Sequence, residues 1–171
     1  MKHRLAAILA AFAAAVALLA TGGATVAAAA PDPTQQKIDR ILAQAPGGTQ
    51  TSKNTIAWQN GDVVMTLPTG KNATAAPAPC PDGRFCLYEA ANFGGRSVSF
   101  RDRLCDNRVV NLTAFNFNDV TSSWANNTDF DVDVWAAIGL GGARLFQMFS
   151  FTESMGLTRN INDQASSLNC Y

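Results

Sequence analysis

The sequence has one histidine, His3, at the very start of the chain. After it there is no imidazole for a catalytic triad, a general base or a zinc ligand. Glutamate is almost as scarce, with only Glu89 and Glu153 present. Beyond composition nothing suggests the carboxylate pair of a glycosidase, and no enzyme is expected. Basic blocks are missing as well. Setting aside residues 1–30 leaves 11 basic and 13 acidic residues, which argues against nucleic acid or an anionic membrane as partner. Past Ala20, no run is long and apolar enough to cross a bilayer.

The first thirty residues read as a leader. "MKHR" supplies positive charge, Leu5 to Ala20 is an apolar core too short for a comfortable span, and "TVAAAAP" offers cleavage after Ala28 or Ala30. A secreted protein is therefore expected. Four cysteines in that setting imply two disulfides, with three possible connectivities. Cys80 and Cys86 bracket "PDGRF", whose Pro-Asp-Gly is turn chemistry, so a local loop is the natural pairing. That leaves Cys105 with Cys170 and no thiolate nucleophile. Zinc ligation suits the irregular spacing and the oxidising compartment poorly.

Three regions follow: a signal peptide (1–30), an N-terminal helix, hairpin and linker (31–79), and a main domain (80–171). In "DPTQQKIDRILAQAPGG", Asp32 is placed as N-cap, Pro33 as first helical residue and Gln35 in capping-box register. Ile38, Ile41, Leu42 and Ala45 share one face, and Pro46-Gly47 stops the helix. "TIAWQNGDVVMTLP" predicts a hairpin with Asn60-Gly61 in a type I′ turn, pairing Trp58 with Val63 and Ile56 with Met65. So small a unit cannot hold its own core, so it docks on the main domain or serves as a pro-region. From Cys80 onward, short alternating runs separated by Gly, Asn and Asp predict an all-β domain.

That domain contains an internal repeat, with copies at about 80–131 and 132–171. "YEAANFGG" places Tyr88, Phe93 and Gly95 where "WAAIGLGG" places Trp135, Leu140 and Gly142, each 47 residues later. "NDVTSS" (118–123) returns as "NDQASS" (162–167), 44 residues later. An aromatic, a second large apolar residue and a glycine at this spacing suit a folded-over hairpin, the glycine taking a positive φ.

The first pair resembles the aromatic–x4–aromatic–x–Gly signature of βγ-crystallin Greek keys, and the hexapeptides resemble that family's calcium motif. "CPDGRFCLYE" is similar to the start of the secreted bacterial metalloproteinase inhibitors of crystallin fold, a peptidase inhibitor family. The resemblance covers residues 80–171 and implies a two-Greek-key β-sandwich that blocks thermolysin-type enzymes. It also implies calcium, bound weakly through Asn118, Asp119 and Ser122 of one loop and Asn162, Asp163 and Ser166 of the other. The same residues suit Asx- and ST-turns that need no metal. The chain departs from the family in having no second short cysteine loop to display a reactive bond. Its candidate inhibitory residues are Arg84 and Phe85 in the Cys80–Cys86 loop, and Leu104 beside Cys105. The alternative function is a calcium-stabilised structural or envelope-associated protein without inhibitory activity.

Phe115, Phe117, Trp124, Phe146, Phe149 and Phe151 are expected to fill the core. Asp129, Asp131 and Asp133 alternate along a strand as a solvated face. Asn72, Asn111 and Asn126 head Asn–x–Thr sequons that matter only in a glycosylating host. The expected partner is a secreted metalloproteinase, with no nucleic acid or membrane, and the chain is expected to act as a monomer.

Overall fold

Helix α1 (Pro33–Gln44) begins where the Asp32 carboxylate accepts from the Thr34 N–H at 2.8 Å, with Pro33 at the first helical position. The capping box does not close: the Gln35 amide donates instead to Asp39 and to Gln50, at 2.8 and 2.9 Å. The computed structural model to which these elements belong describes residues 32–69, 79–105 and 108–171. The expected leader, the Asn72 sequon and most of the linker lie outside the described residues.

Strands β1 (Thr49–Ser52), β2 (Thr55–Trp58) and β3 (Val63–Thr66) form an antiparallel meander. Trp58 faces Val63 and Ile56 faces Met65, the register that an Asn-Gly turn dictates. Asn60 (φ 55, ψ 32) and Gly61 (φ 88) carry the chain around, and the Asp62 N–H donates to the Gln59 carbonyl at 3.2 Å. That is type I′ geometry.

The rest is two Greek keys. The first comprises β4 (Arg84–Ala90), β5 (Gly94–Arg101), β6 (Val110–Asn111) and β7 (Ser123–Asn126); the second, β8 (Val132–Ala137), β9 (Gly141–Met148), β10 (Glu153–Ser154) and β11 (Ser167–Cys170). One sheet runs β1-β2-β3-β5-β4-β7-β10 and the other β6-β11-β8-β9. Each key thus gives its third strand to the other's sheet, β6 joining β11 and β10 joining β7. The block β5-β4-β7-β10 repeats as β9-β8-β11-β6, so the sequence repeat is a structural one. β3 continues the first sheet past β5, with Val63 opposite Phe100 and Met65 opposite Val98.

The interior is shared. Phe85, Leu87, Val98, Phe100 and Phe117 of the sandwich are fully buried, in one cluster with Ile38 and Ile41 of α1 and Ile56, Trp58 and Met65 of the hairpin. Phe115, Phe117 and Trp124 are buried, and Phe146 is partly buried and stacked on Trp124. Phe149 and Phe151 depart from expectation: they are 55% and 66% exposed. β9 ends at Met148, so they sit in the following turn, beyond the alternation that directs side chains inward. The expected solvated face also fails at Asp133, which is buried and paired with Arg144 at 3.1 Å.

Both disulfides join the expected partners, Cys80–Cys86 and Cys105–Cys170, with Cα separations of 5.8 and 4.7 Å. Among the described residues no helix is long and apolar enough to cross a membrane.

Candidate functional site

The repeat positions share backbone conformation. Phe93 and Leu140 have φ of 58° and 60°, and Gly95 and Gly142 have 73° and 71°. A Cβ on Gly95 would lie 3.0 Å from the Glu89 Cβ and 3.3 Å from the Ala90 nitrogen, so only glycine suits the fold-over. Tyr88 covers the first bend, its ring edge-on to Phe93 at 5.3 Å.

The last serine of each hexapeptide holds this hairpin shut. Ser123 Oγ donates to the Ala90 carbonyl at 2.7 Å and accepts from the Phe93 N–H at 3.1 Å. Ser167 Oγ does the same with the Ala137 carbonyl (2.6 Å) and the Leu140 N–H (3.0 Å). Neither serine is among the site residues expected from the sequence. The signal for them was their fixed distance from the aromatic–glycine hairpin in both copies.

The two loops meet side by side with two-fold correspondence. The Asp119 N–H donates to the Ala165 carbonyl (2.9 Å), and the Asp163 N–H to the Thr121 carbonyl (3.1 Å). Side chains cross over in the same way: Ser166 Oγ donates to Asp119 Oδ1 (3.0 Å) and Ser122 Oγ to Asp163 Oδ1 (3.3 Å). Both aspartates have φ near 55° and lie exposed, whereas both serines are buried. Asn118 donates to Asp119 Oδ2 at 2.6 Å, but its own Oδ1 is buried without a hydrogen-bond partner. Each loop therefore pairs its carboxylate with the other loop's hydroxyl, giving two oxygen-rich clusters of one formal charge each. Asn162, partly buried, donates its backbone N–H to the Thr158 carbonyl at 3.0 Å.

The expected inhibitory residues are not displayed. Phe85 is fully buried and stacked on Phe100 at 5.1 Å, because alternation along β4 turns it inward with Leu87. Leu104 is buried as well. Arg84 is half-buried, donating to the Gly61 carbonyl (2.6 Å), the Asp62 carbonyl (3.1 Å) and Ser99 Oγ (3.2 Å). Burial first, and then the Arg101 charge, push its pKa down from the usual arginine range. Its bonds tie the β2–β3 turn to β5, and the guanidinium is not free to enter a partner.

A different segment is convex and exposed. Between β9 and β10, Phe149-Ser150-Phe151-Thr152 makes a tight turn, closed by the Thr152 N–H and Oγ1 donating to the Phe149 carbonyl at 3.2 and 2.7 Å. Phe151 is held at φ 54°, a conformation costly for an aromatic residue unless its surroundings enforce it. Two side chains do so from beneath. The buried Asn126 amide donates to the carbonyls of Phe130, Met148 and Phe149 at 2.7, 3.0 and 3.2 Å. Asp131 Oδ1 accepts from the Ser150 N–H at 2.8 Å. Asn126, fully buried, is thus a structural staple rather than a glycosylation acceptor. Sequence reasoning missed this turn because aromatics default to the core.

Residues 73–145 match peptidase inhibitor family I36. That match points to an inhibitor-like protein and not to an enzyme. No curated protein matches the chain. Among solved structures, one from work on the evolution of the eye-lens βγ-crystallin domain fold is 22% identical, covering 64% of this chain and 96% of that one (TM-score 0.47). A βγ-crystallin domain from Clostridium beijerinckii is 25% identical over 52% of this chain and 97% of its own (TM-score 0.43). One from Flavobacterium johnsoniae is 21% identical over 51% and 92% (TM-score 0.41).

Proposed function

We propose that this crystallin-fold chain, with its match to peptidase inhibitor family I36 over residues 73–145, is a secreted inhibitor of metalloproteinases that is stiffened by calcium. The leader-like first thirty residues and the two disulfides support export. The observation that carries the inhibitory reading is the Phe149–Thr152 turn: convex, two aromatics exposed, and pinned from beneath by Asn126 and Asp131. A loop already fixed in its bound shape loses little conformational entropy on docking. Those side-chain hydrogen bonds would take the place of the second short disulfide loop that the sequence lacks.

Purified chain titrated into a thermolysin-type metalloproteinase should abolish activity near one-to-one stoichiometry. Phe149→Ala combined with Phe151→Ala should weaken inhibition by about 30-fold or more, the scale of aromatic hot spots, while leaving the melting temperature nearly unchanged. Unimpeded protease activity, or rapid cleavage of the chain, rejects the inhibitory reading.

Calcium fits the paired loops. Asp119 with Ser166, and Asp163 with Ser122, would each supply one carboxylate and one hydroxyl, and the partnerless buried oxygen of Asn118 suits a hard cation. The bound ion would supply charge neutralisation and a cross-link between the loops. With one carboxylate per cluster, affinity should fall near 10⁻⁴–10⁻³ M, about that of extracellular modules. Calcium at about 100 times Kd should stabilise the chelated chain by about 2.7 kcal/mol per site, seen as a rise in melting temperature. Asp119→Asn with Asp163→Asn should remove that rise. Absence of both calorimetric heat and a thermal shift in the unmutated chain discards calcium. A calcium response without protease inhibition would favour the structural or envelope-associated alternative.

A further inference from the structure

A cleft of about 290 Å³ opens on the outer face of the first sheet, between the Cys80–Cys86 loop and β10. Pro79, Cys80, Tyr88, Phe93 and Ala125 give it an apolar lining, while Asn127 and Glu153 supply its polar edge. The fold explains the apolar lining: the Tyr88–Phe93 pair that covers the hairpin presents its outer surface here. The polar edge offers acceptors to a donor or a cation. The Asn127 amide donates to the Cys80 carbonyl at 2.6 Å, and its Oδ1 accepts no hydrogen bond among the described residues. Glu153 is exposed and has no ion-pair or side-chain hydrogen-bond partner among the described residues. Burial, and next the Glu153 charge, push the Tyr88 phenol up to about 12, against a smaller lowering by the Cys80 backbone.

We propose that this cleft binds an alkylammonium or guanidinium group, its alkyl stem against Phe93 and the disulfide and its charge against Glu153. Ring walls and a lone carboxylate are what such a cation needs: the π face and the carboxylate attract the charge, while the apolar lining covers the stem. The site does not depend on the inhibitory reading. The same chemistry could come from a free amine or from a lysine or arginine side chain on a partner protein.

Amide chemical shifts of the full ¹⁵N-labelled chain, at constant ionic strength, test this with two probes: n-butylammonium chloride and Nα-acetyl-lysine amide. Saturable shifts confined to the amides of Tyr88, Phe93, Ala125, Asn127 and Glu153 are expected, with Kd of roughly 10 mM for so small a ligand. Glu153→Gln should weaken binding about fivefold or more, while Asp39→Asn on α1 should leave it unchanged. Tighter binding of the peptide-like probe identifies a protein side chain as the ligand, and tighter binding of the free amine a small molecule; either supports the site. Linear, unsaturable shifts spread over the surface, or equal binding by Glu153→Gln, overturn it.

Discussion

Replacing Trp58 by alanine should lower the melting temperature of the whole chain by roughly 10–20 °C, the consequence of losing about 3–5 kcal/mol from a packed core. Trp58 is only 4% exposed, although it belongs to the N-terminal hairpin rather than to either Greek key. Its indole N–H donates to the Ala45 carbonyl at the end of α1 at 3.1 Å, and its ring meets Phe115 edge-on at 5.5 Å. Phe115 in turn packs edge-on against Phe100 of β5 at 5.8 Å. One side chain thus joins helix, hairpin and sandwich. We infer from this contact chain that residues 32–69 fold with the sandwich as one cooperative unit rather than serving as a removable pro-region. Calorimetry of the Trp58→Ala chain should therefore show a single, lowered transition. A sandwich transition at its original temperature, with a separate early loss of the helix and hairpin, would falsify that proposal.

The second large effect concerns the long disulfide. Cys105→Ala with Cys170→Ala should cost about 4 kcal/mol, against about 2 kcal/mol for Cys80→Ala with Cys86→Ala. The difference lies in the unfolded chain: the bridges span 65 and 6 residues, and a longer closed loop removes more conformational entropy from that ensemble. The long bridge also anchors β11, the strand between β8 and the exchanged β6. Guanidinium unfolding midpoints of the two double variants should rank accordingly. Equal losses would show that native-state packing, rather than loop closure, sets the contribution of these bridges.

Such a core tolerates little, and this bears on how the functional surface is built. The residues proposed to meet a protease, Phe149 and Phe151, are exposed, so their substitution should spare stability. Asn126 and Asp131 lie beneath them, and changes there would disturb fold and turn together.

The sequence by itself determined what depends on local chemistry and on repetition. Asn60-Gly61 set the hairpin register through a two-residue turn with positive φ at both positions, and Asp32-Pro33 set the helix start. The doubled aromatic–glycine pattern announced two equivalent keys, and their common offsets placed the two hexapeptides in equivalent loops. The disulfide partners followed from one short, turn-rich interval and what it left over.

What only the tertiary structure decided involves partners distant along the chain. The exchange of β6 and β10 between sheets brings Asp119 to Ser166 and Asp163 to Ser122, contacts that no local pattern encodes. The pairing of β3 with β5 drew the hairpin into the first sheet. The sequence suggests display for Phe85, which lies in the core, and burial for Phe149 and Phe151, which lie outside. All three are phenylalanines beside polar neighbours, and composition cannot separate them. Their fate was settled by where each strand ends and which face its alternation presents to the opposite sheet, which are properties of the assembled sandwich.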